Sequence, residues 1–261
     1  MISFYKYQGA GNDFIIIDNR EKIISINKVN FAKKWCSRRF GIGSDGLIFI
    51  ENQEGVDFLM EFYNPDGSRS FCGNGSRCAV AFAKELGIIT NTAIFMAIDG
   101  KHKAEFVGDT VKIAMNQYGG IEQIGEDHFM DTGSPHYISY CGANDSRNII
   151  TYGKSIRYSD RFKEVGTNVN LINDLGNNHI EIRTYERGVE NETLACGTGA
   201  TACGLSYAAQ NDLTKGIIDV DVKGGFLKIH FEQIENTDKF KNVWLEGPAT
   251  FVFKGYVNDN D

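Results

Sequence analysis

The feature that most constrains this chain is a short block that occurs twice, once in each half. Cys72-Gly73-Asn74-Gly75-Ser76-Arg77-Cys78 is answered by Cys196-Gly197-Thr198-Gly199-Ala200-Thr201-Ala202-Cys203. Each block opens a segment with helical spacing of its apolar residues. Cys78, Phe82 and Leu86 stand four apart and run into Gly87, and Cys203 and Tyr207 repeat the interval. The spacing predicts helices over 76–86 and 199–210, and a third, amphipathic one over 28–38 that stops before Gly41. A strand-like segment precedes each block, 57–63 before the first and 179–185 before the second. A repeated strand–loop–helix unit predicts two similar domains facing each other. The pattern breaks near 116–122, at Gly119-Gly120, which marks the expected boundary.

Strand signals dominate elsewhere: 2–7, 14–17, 111–115, 136–140, 217–222, 226–231 and 250–253. With 29 glycines against 3 prolines in 261 residues, tight turns between short strands are favoured over linkers or disorder. The aromatic side chains of Phe58, Phe62, Phe82 and Phe95 read as core, and the acidic tail 258–261 as frayed. A net charge of −7 and the lack of a Lys/Arg run argue against a nucleic-acid partner. The N-terminus lacks a signal-peptide pattern, and no apolar run reaches membrane-spanning length. The expectation is a soluble, cytoplasmic protein with no membrane partner.

Six cysteines in such a chain read as buried hydrophobes, metal ligands or catalytic thiols rather than disulfides. Cys36, Cys78, Cys141 and Cys203 read as small core residues. Zinc is disfavoured, because the paired cysteines are spaced more widely than zinc ligand pairs. Cys72 and Cys196 differ by their setting. The first turn of a helix leaves backbone N–H groups without intrahelical partners, and its dipole makes that end positive. Glycines let a bound group approach the backbone closely. Such an end holds a carboxylate and favours a thiolate beside it. An amino acid's α-proton is a very weak acid, and donors fixed around its carboxylate stabilise the carbanion. Two thiols on opposite faces then invert the centre, one taking a proton and the other returning one.

These blocks stand among others in a telling order: Gly9-Ala10-Gly11-Asn12-Asp13-Phe14, Arg39-Phe40-Gly41-Ile42-Gly43, Asn64-Pro65-Asp66-Gly67-Ser68, Gly133-Ser134-Pro135-His136, Tyr185-Glu186-Arg187-Gly188, Ala195-Cys196-Gly197-Thr198-Gly199 and Gly247-Pro248-Ala249. Together with Cys72-Gly73-Asn74-Gly75, the chain resembles the diaminopimelate epimerase family nearly end to end. The resemblance implies an α/β fold of the α+β type: two pseudo-symmetric domains, each a curled, mostly antiparallel sheet around a central helix. The division would be 1–117 plus about 249–261, carrying Cys72, against 118–248, carrying Cys196, with the active site in the cleft between. It also implies a homodimer and an enzyme that interconverts LL- and meso-2,6-diaminopimelate without pyridoxal phosphate, other cofactor or metal, for lysine and peptidoglycan precursors.

By matching positions, the resemblance makes Cys72 and Cys196 the acid–base pair. It places Asn12, Asn64, Gly73, Asn74, Asn168, Glu186, Arg187, Gly197 and Thr198 on the substrate, and has His136 and Glu186 tune the thiols. The chemistry fits a substrate with two amino-acid heads: Arg187 suits a carboxylate and Glu186 an ammonium. On spacing alone, Asn12 and Asn64 serve equally well as turn formers, Glu186 and Arg187 as surface charges, and His136 as a satisfied loop histidine. His102, His128, His179 and His230 carry only that structural reading. Ser134 and Gly46 depart from the Asn and Gln that many members carry there, which leaves specificity open. The alternatives are a two-cysteine racemase of another amino acid, a binding protein that has lost catalysis, and a zinc protein.

Overall fold

The structure, a computed structural model, describes residues 1–24, 27–115, 118–142 and 145–258. Asn116 and Gln117, at the expected boundary, and 259–261 of the tail lie outside the described residues. The chain forms two compact units, Met1–Ile113 with Gly247–Asp261, and Ala114–Glu246.

The first unit runs β1 (Ile2–Gly9), β2 (Asn12–Asp18), α1 (Lys28–Trp35), β3 (Gly46–Glu51), β4 (Phe58–Tyr63), α2 (Gly73–Glu85), β5 (Thr92–Ala97), β6 (Gly100–Val107) and β7 (Thr110–Ala114). The second runs β8 (Glu122–Ile124), β9 (Asp127–Asp131), β10 (Pro135–Cys141), α3 (Ile149–Arg157), β11 (Asn168–Gly176), β12 (His179–Glu186), β13 (Asn191–Thr193), α4 (Gly197–Gln210), β14 (Lys215–Val222), β15 (Gly225–Gln233) and β16 (Phe240–Gly247). The chain then returns to the first unit, where β17 (Thr250–Val257) pairs antiparallel with β1.

Strand senses repeat between the units. In the first, β17–β1 and β1–β2 are antiparallel, β2–β3 parallel, β3–β4 antiparallel, β4–β5 parallel, and β5–β6 and β6–β7 antiparallel. In the second, β8–β9 and β9–β10 are antiparallel, β10–β11 parallel, β11–β12 antiparallel, β12–β14 parallel, and β14–β15 and β15–β16 antiparallel. A short helix makes the first parallel crossover of each unit, α1 or α3, and the long helix makes the second, α2 or α4. The expected fold of mostly antiparallel sheets around central helices is present in both.

The long helices are central, buried around most of their circumference. In α4, ten consecutive residues from Gly199 to Ala208 are buried, and α2 buries Asn74 to Val80 with Phe82 and Ala83. Around α2 pack Tyr7, Phe14, Ile48, Phe58, Phe62 and Phe95; three of these and Phe82 of α2 itself are the four phenylalanines read as core. Truncating a fully buried ring such as Phe82 removes about 3–5 kcal/mol of stability.

Several boundaries move. α2 and α4 begin at Gly73 and Gly197, earlier than glycine-rich first turns advertise, because Cys72 O and Cys196 O accept the opening bonds from Ser76 N and Ala200 N at 2.8 Å each. α1 stops at Trp35, since Ile42 N and Gly43 N fold back onto Trp35 O at 3.0 Å. Helix α3 and strands β3, β5, β6, β8, β9, β11, β13 and β16 carry no prediction above. β13, not β12, immediately precedes the second cysteine block. Cys141 is half-buried rather than core, with its thiol donating to Ile172 O at 3.0 Å. Among the described residues, no helix is long and apolar enough to cross a membrane.

Candidate active site

The two cysteine blocks are built alike. Cys72 is the N-cap of α2 with φ −136° and ψ 108°, and Cys196 is the N-cap of α4 with φ −124° and ψ 110°. Helix caps are usually Ser, Thr, Asp or Asn, whose oxygens take first-turn N–H groups. At Cys72 the sulfur does this, accepting from Gly75 N at 3.4 Å. Neither helix has an acidic residue in its first turn, so nothing there offsets the positive end. Gly73 and Asn74 in one unit, and Gly197 and Thr198 in the other, carry first-turn N–H groups that the helix itself leaves without partners.

In the first unit a directed chain of side chains stands beside Cys72. Arg77 Nη2 donates to Asn74 Oδ1 at 2.8 Å, Asn74 Nδ2 to Asn12 Oδ1 at 2.5 Å, and Asn12 Nδ2 to Asp45 Oδ2 at 3.0 Å. Arg77 is fully buried, and its Nε donates to Pro248 O at 3.3 Å. Burial pushes its guanidinium down to about 10, which leaves it cationic at neutral pH and close beneath the cap. Asn12 and Asn74, both predicted at the site, are thus brought together. Asn64 takes the turn role: its Nδ2 donates to Ser68 O at 3.3 Å and to the hydroxyls of Ser68 and Ser70 at 3.1 Å.

In the second unit Cys196 Sγ lies 3.5 Å from Thr198 Oγ1, which lies 3.0 Å from Nε2 of His136. His136 is fully buried on β10, and its Nδ1 faces Asn170 Nδ2 at 3.2 Å. Burial first, and the Arg187 charge second, push the imidazole down to about 3. It is therefore a neutral ring, with both nitrogens satisfied as spacing alone allows, but on a strand rather than in a loop. Asn168 is a hub: its Nδ2 donates to Ser134 Oγ at 2.9 Å and Pro135 O at 3.2 Å, and its Oδ1 accepts from Arg187 N at 2.8 Å. Glu186 ends β12 and Arg187 opens the turn after it, both half-buried, and Arg187 Nη1 donates to Val165 O at 2.9 Å.

Both departures have local explanations. Ser134 meets Asn168 directly. A Cβ at position 46 would lie 2.2 Å from the Phe62 ring, so Gly46 is fixed by core packing. Asp45, Asn170 and Thr184 also hold these clusters and were not singled out from sequence. For Asn170 the available signal is its alternation with Asn168 across Val169, since alternation with apolar residues marks a strand face. Among the described residues, no cluster of three or more His, Cys, Asp or Glu side chains is arranged to hold a metal.

The family model described as "Diaminopimelate epimerase" matches residues 4–121 and 128–252. A diaminopimelate epimerase of Flavobacterium psychrophilum is 45% identical over 255 residues, covering 97% of this chain and 99% of that one. One of Aquifex aeolicus is 40% identical over 281 residues, covering 99% and 98%. Among solved structures, a phenazine biosynthesis protein of the PhzF family from Bacillus anthracis superposes with a TM-score of 0.78 at 14% identity, covering 98% of this chain and 99% of that one. A probable proline racemase from Agrobacterium radiobacter gives 0.66 at 10% identity, covering 100% and 94%. At such identities these two speak for the fold alone.

Proposed function

The chain belongs to the diaminopimelate epimerase family, and from that premise we propose that it interconverts LL- and meso-2,6-diaminopimelate with Cys72 and Cys196 as the acid–base pair. The observation that carries the reading is the matched pair of N-cap cysteines, one per unit, each opening a buried helix whose first turn has no acid.

The mechanism follows from what those ends supply. The reacting head's carboxylate is held by first-turn N–H groups of Gly73, Asn74, Gly197 and Thr198, so charge that spreads into it on deprotonation meets donors already in place. One sulfur, as thiolate, removes the α-proton, and the other, as thiol, protonates the opposite face. For the reverse reaction the roles exchange. The second head engages Glu186 through its ammonium and Arg187 through its carboxylate, with Asn12, Asn64 and Asn168 contributing further hydrogen bonds. Asn64 contributes through its carbonyl, since its amide nitrogen is engaged in the turn. His136 and Glu186 tune the thiols. No cofactor or metal takes part.

Incubating the protein with LL-diaminopimelate in deuterated water tests this. The meso product should carry solvent deuterium at the inverted carbon while early residual substrate carries none, because separate groups remove and deliver the proton. Absence of conversion, together with turnover of proline or another amino acid, would favour a racemase of different specificity.

We place the reaction in the cytoplasm, in supply of lysine and peptidoglycan precursors; the six unbridged cysteines fit a reducing compartment. We also propose a homodimer. β17 exposes Phe251, Val252, Phe253 and Tyr256 at 46, 52, 45 and 62%, an apolar strand surface of the kind proteins cover. Sedimentation equilibrium should return twice the chain mass of 29.1 kDa, and the single-chain mass would refute it.

A further inference from the structure

The second unit holds an unbroken run of hydrogen bonds that ends on Cys196, and its direction can be deduced. Tyr137 O, a main-chain carbonyl, can only accept. It faces Asn170 at 3.1 Å, so the Asn170 atom there is the amide nitrogen. That nitrogen's second hydrogen points at His136 Nδ1, 3.2 Å away, which must therefore be bare. Asn170 Oδ1 accepts from Thr184 Oγ1 at 2.9 Å, which is consistent with the same orientation. A neutral imidazole bare at Nδ1 carries its hydrogen on Nε2, and Nε2 faces Thr198 Oγ1 at 3.0 Å. With one lone pair engaged by that hydrogen, the Thr198 hydroxyl turns its own proton to its other neighbour, Cys196 Sγ.

We infer that Asn170 and Thr184 lock His136 in its Nε2–H form, so that His136 acts as a neutral donor which aims the Thr198 hydroxyl at Cys196. The assignment rests on the reading of Cys196 as an acid–base group and specifies how that group is supported. Asn170 and His136 are positioning residues, and Thr198 is the group that touches the reacting sulfur. The arrangement differs from a thiolate–imidazolium pair in that the ring never takes the cysteine's proton. Its burial, and the Arg187 charge that reaches it, disfavour the imidazolium. The proton Cys196 receives from the substrate must then leave from sulfur itself. A hydroxyl donor favours the thiolate without competing for that proton. The run also accounts for the second glycine of the block: a Cβ at Gly199 would lie 2.8 Å from Asn170 Oδ1 and 3.2 Å from His136 Cε1.

Two substrate-free measurements test this, so an epimerase assay that fails does not bear on them. The first is the ring nitrogen NMR spectrum of the 15N-histidine-labelled protein, with His136 assigned by its loss in His136→Gln. It should show a protonated Nε2 and a bare Nδ1, unchanged between pH 8 and pH 5, two values taken to bracket about 6.5, where an ordinary histidine titrates. Asn170→Asp, which sets an acceptor against Nδ1, should move the hydrogen there. An imidazolium, or an Nδ1–H ring in the unaltered protein, would overturn the assignment. The second is alkylation of Cys196 by iodoacetamide in a Cys72→Ser background, followed by peptide mass mapping across pH. Thr198→Val should move the midpoint up by about one pH unit, the size expected for losing a hydrogen bond to a charged group, and Thr198→Ser should restore it. Coincident profiles for Val and Thr would overturn it.

Discussion

His136 is a residue whose neutrality the fold enforces, and pH exposes the consequence. Unfolded, it titrates near the ordinary value of 6.5; folded, burial and Arg187 hold it near 3. Above 6.5 both states carry the neutral ring, and the stability of the native state is fully present. As pH falls from 6.5 toward 3, the unfolded chain binds a proton that the native chain refuses, so stability falls, by up to about 1.4 kcal/mol per pH unit. His136→Gln should flatten that slope between pH 6.5 and 4.5, as read from urea melts; parallel curves for the two proteins would contradict it. Residue identities at the site were only partly legible. Asparagine reads as a turn former, which Asn64 confirms, yet Asn168 and Asn170 are buried on a strand, at 3 and 0% exposure. Only their partners, on Ser134 to Tyr137, at Thr184 and on the Arg187 backbone, make that tolerable, and none of these is near in sequence.

At the scale of the element, the two cysteine-capped helices look alike in sequence but are constrained differently. A Cβ at Gly75 would come no closer than 3.3 Å, to Ile48 Cδ1, a flexible side-chain end. At Gly199 it would meet the fixed carbonyl of Asn170 at 2.8 Å. Gly199→Ala should therefore lower stability by about 1–3 kcal/mol. Gly75→Ala should be near neutral, the tight contact offset by alanine's helix propensity of about 1 kcal/mol. Thermal melts of the two variants check the contrast, and equal losses would contradict it. Helix α3 was illegible for a related reason. Gly153 sits in its middle and reads as a breaker, but a Cβ there would lie 2.4 Å from the Tyr185 ring. Packing demands the glycine that propensity disfavours. The readable signal was Asn148, whose side chain caps Ile150 N and Thr151 N at 3.0 and 3.1 Å.

For the whole molecule, duplication was the most informative thing in the sequence. The cysteine blocks predicted two similar units, and the repeated strand senses extend that similarity well beyond the helices. Carried further, it would have located α3, since α1 occupies the same place in the first unit. Many strands escaped because they are short, and because buried runs such as Gly46–Glu51 do not alternate. The duplication is also what makes the proposed two-base reaction natural: in that proposal each copy brings one sulfur, and both are required. The most direct measurement of that claim is epimerisation by Cys72→Ser and Cys196→Ser separately, with folding verified by circular dichroism. Each substitution should reduce turnover by roughly 10²–10⁴-fold, the contribution of a general acid–base group. Wild-type turnover by either variant would contradict the account.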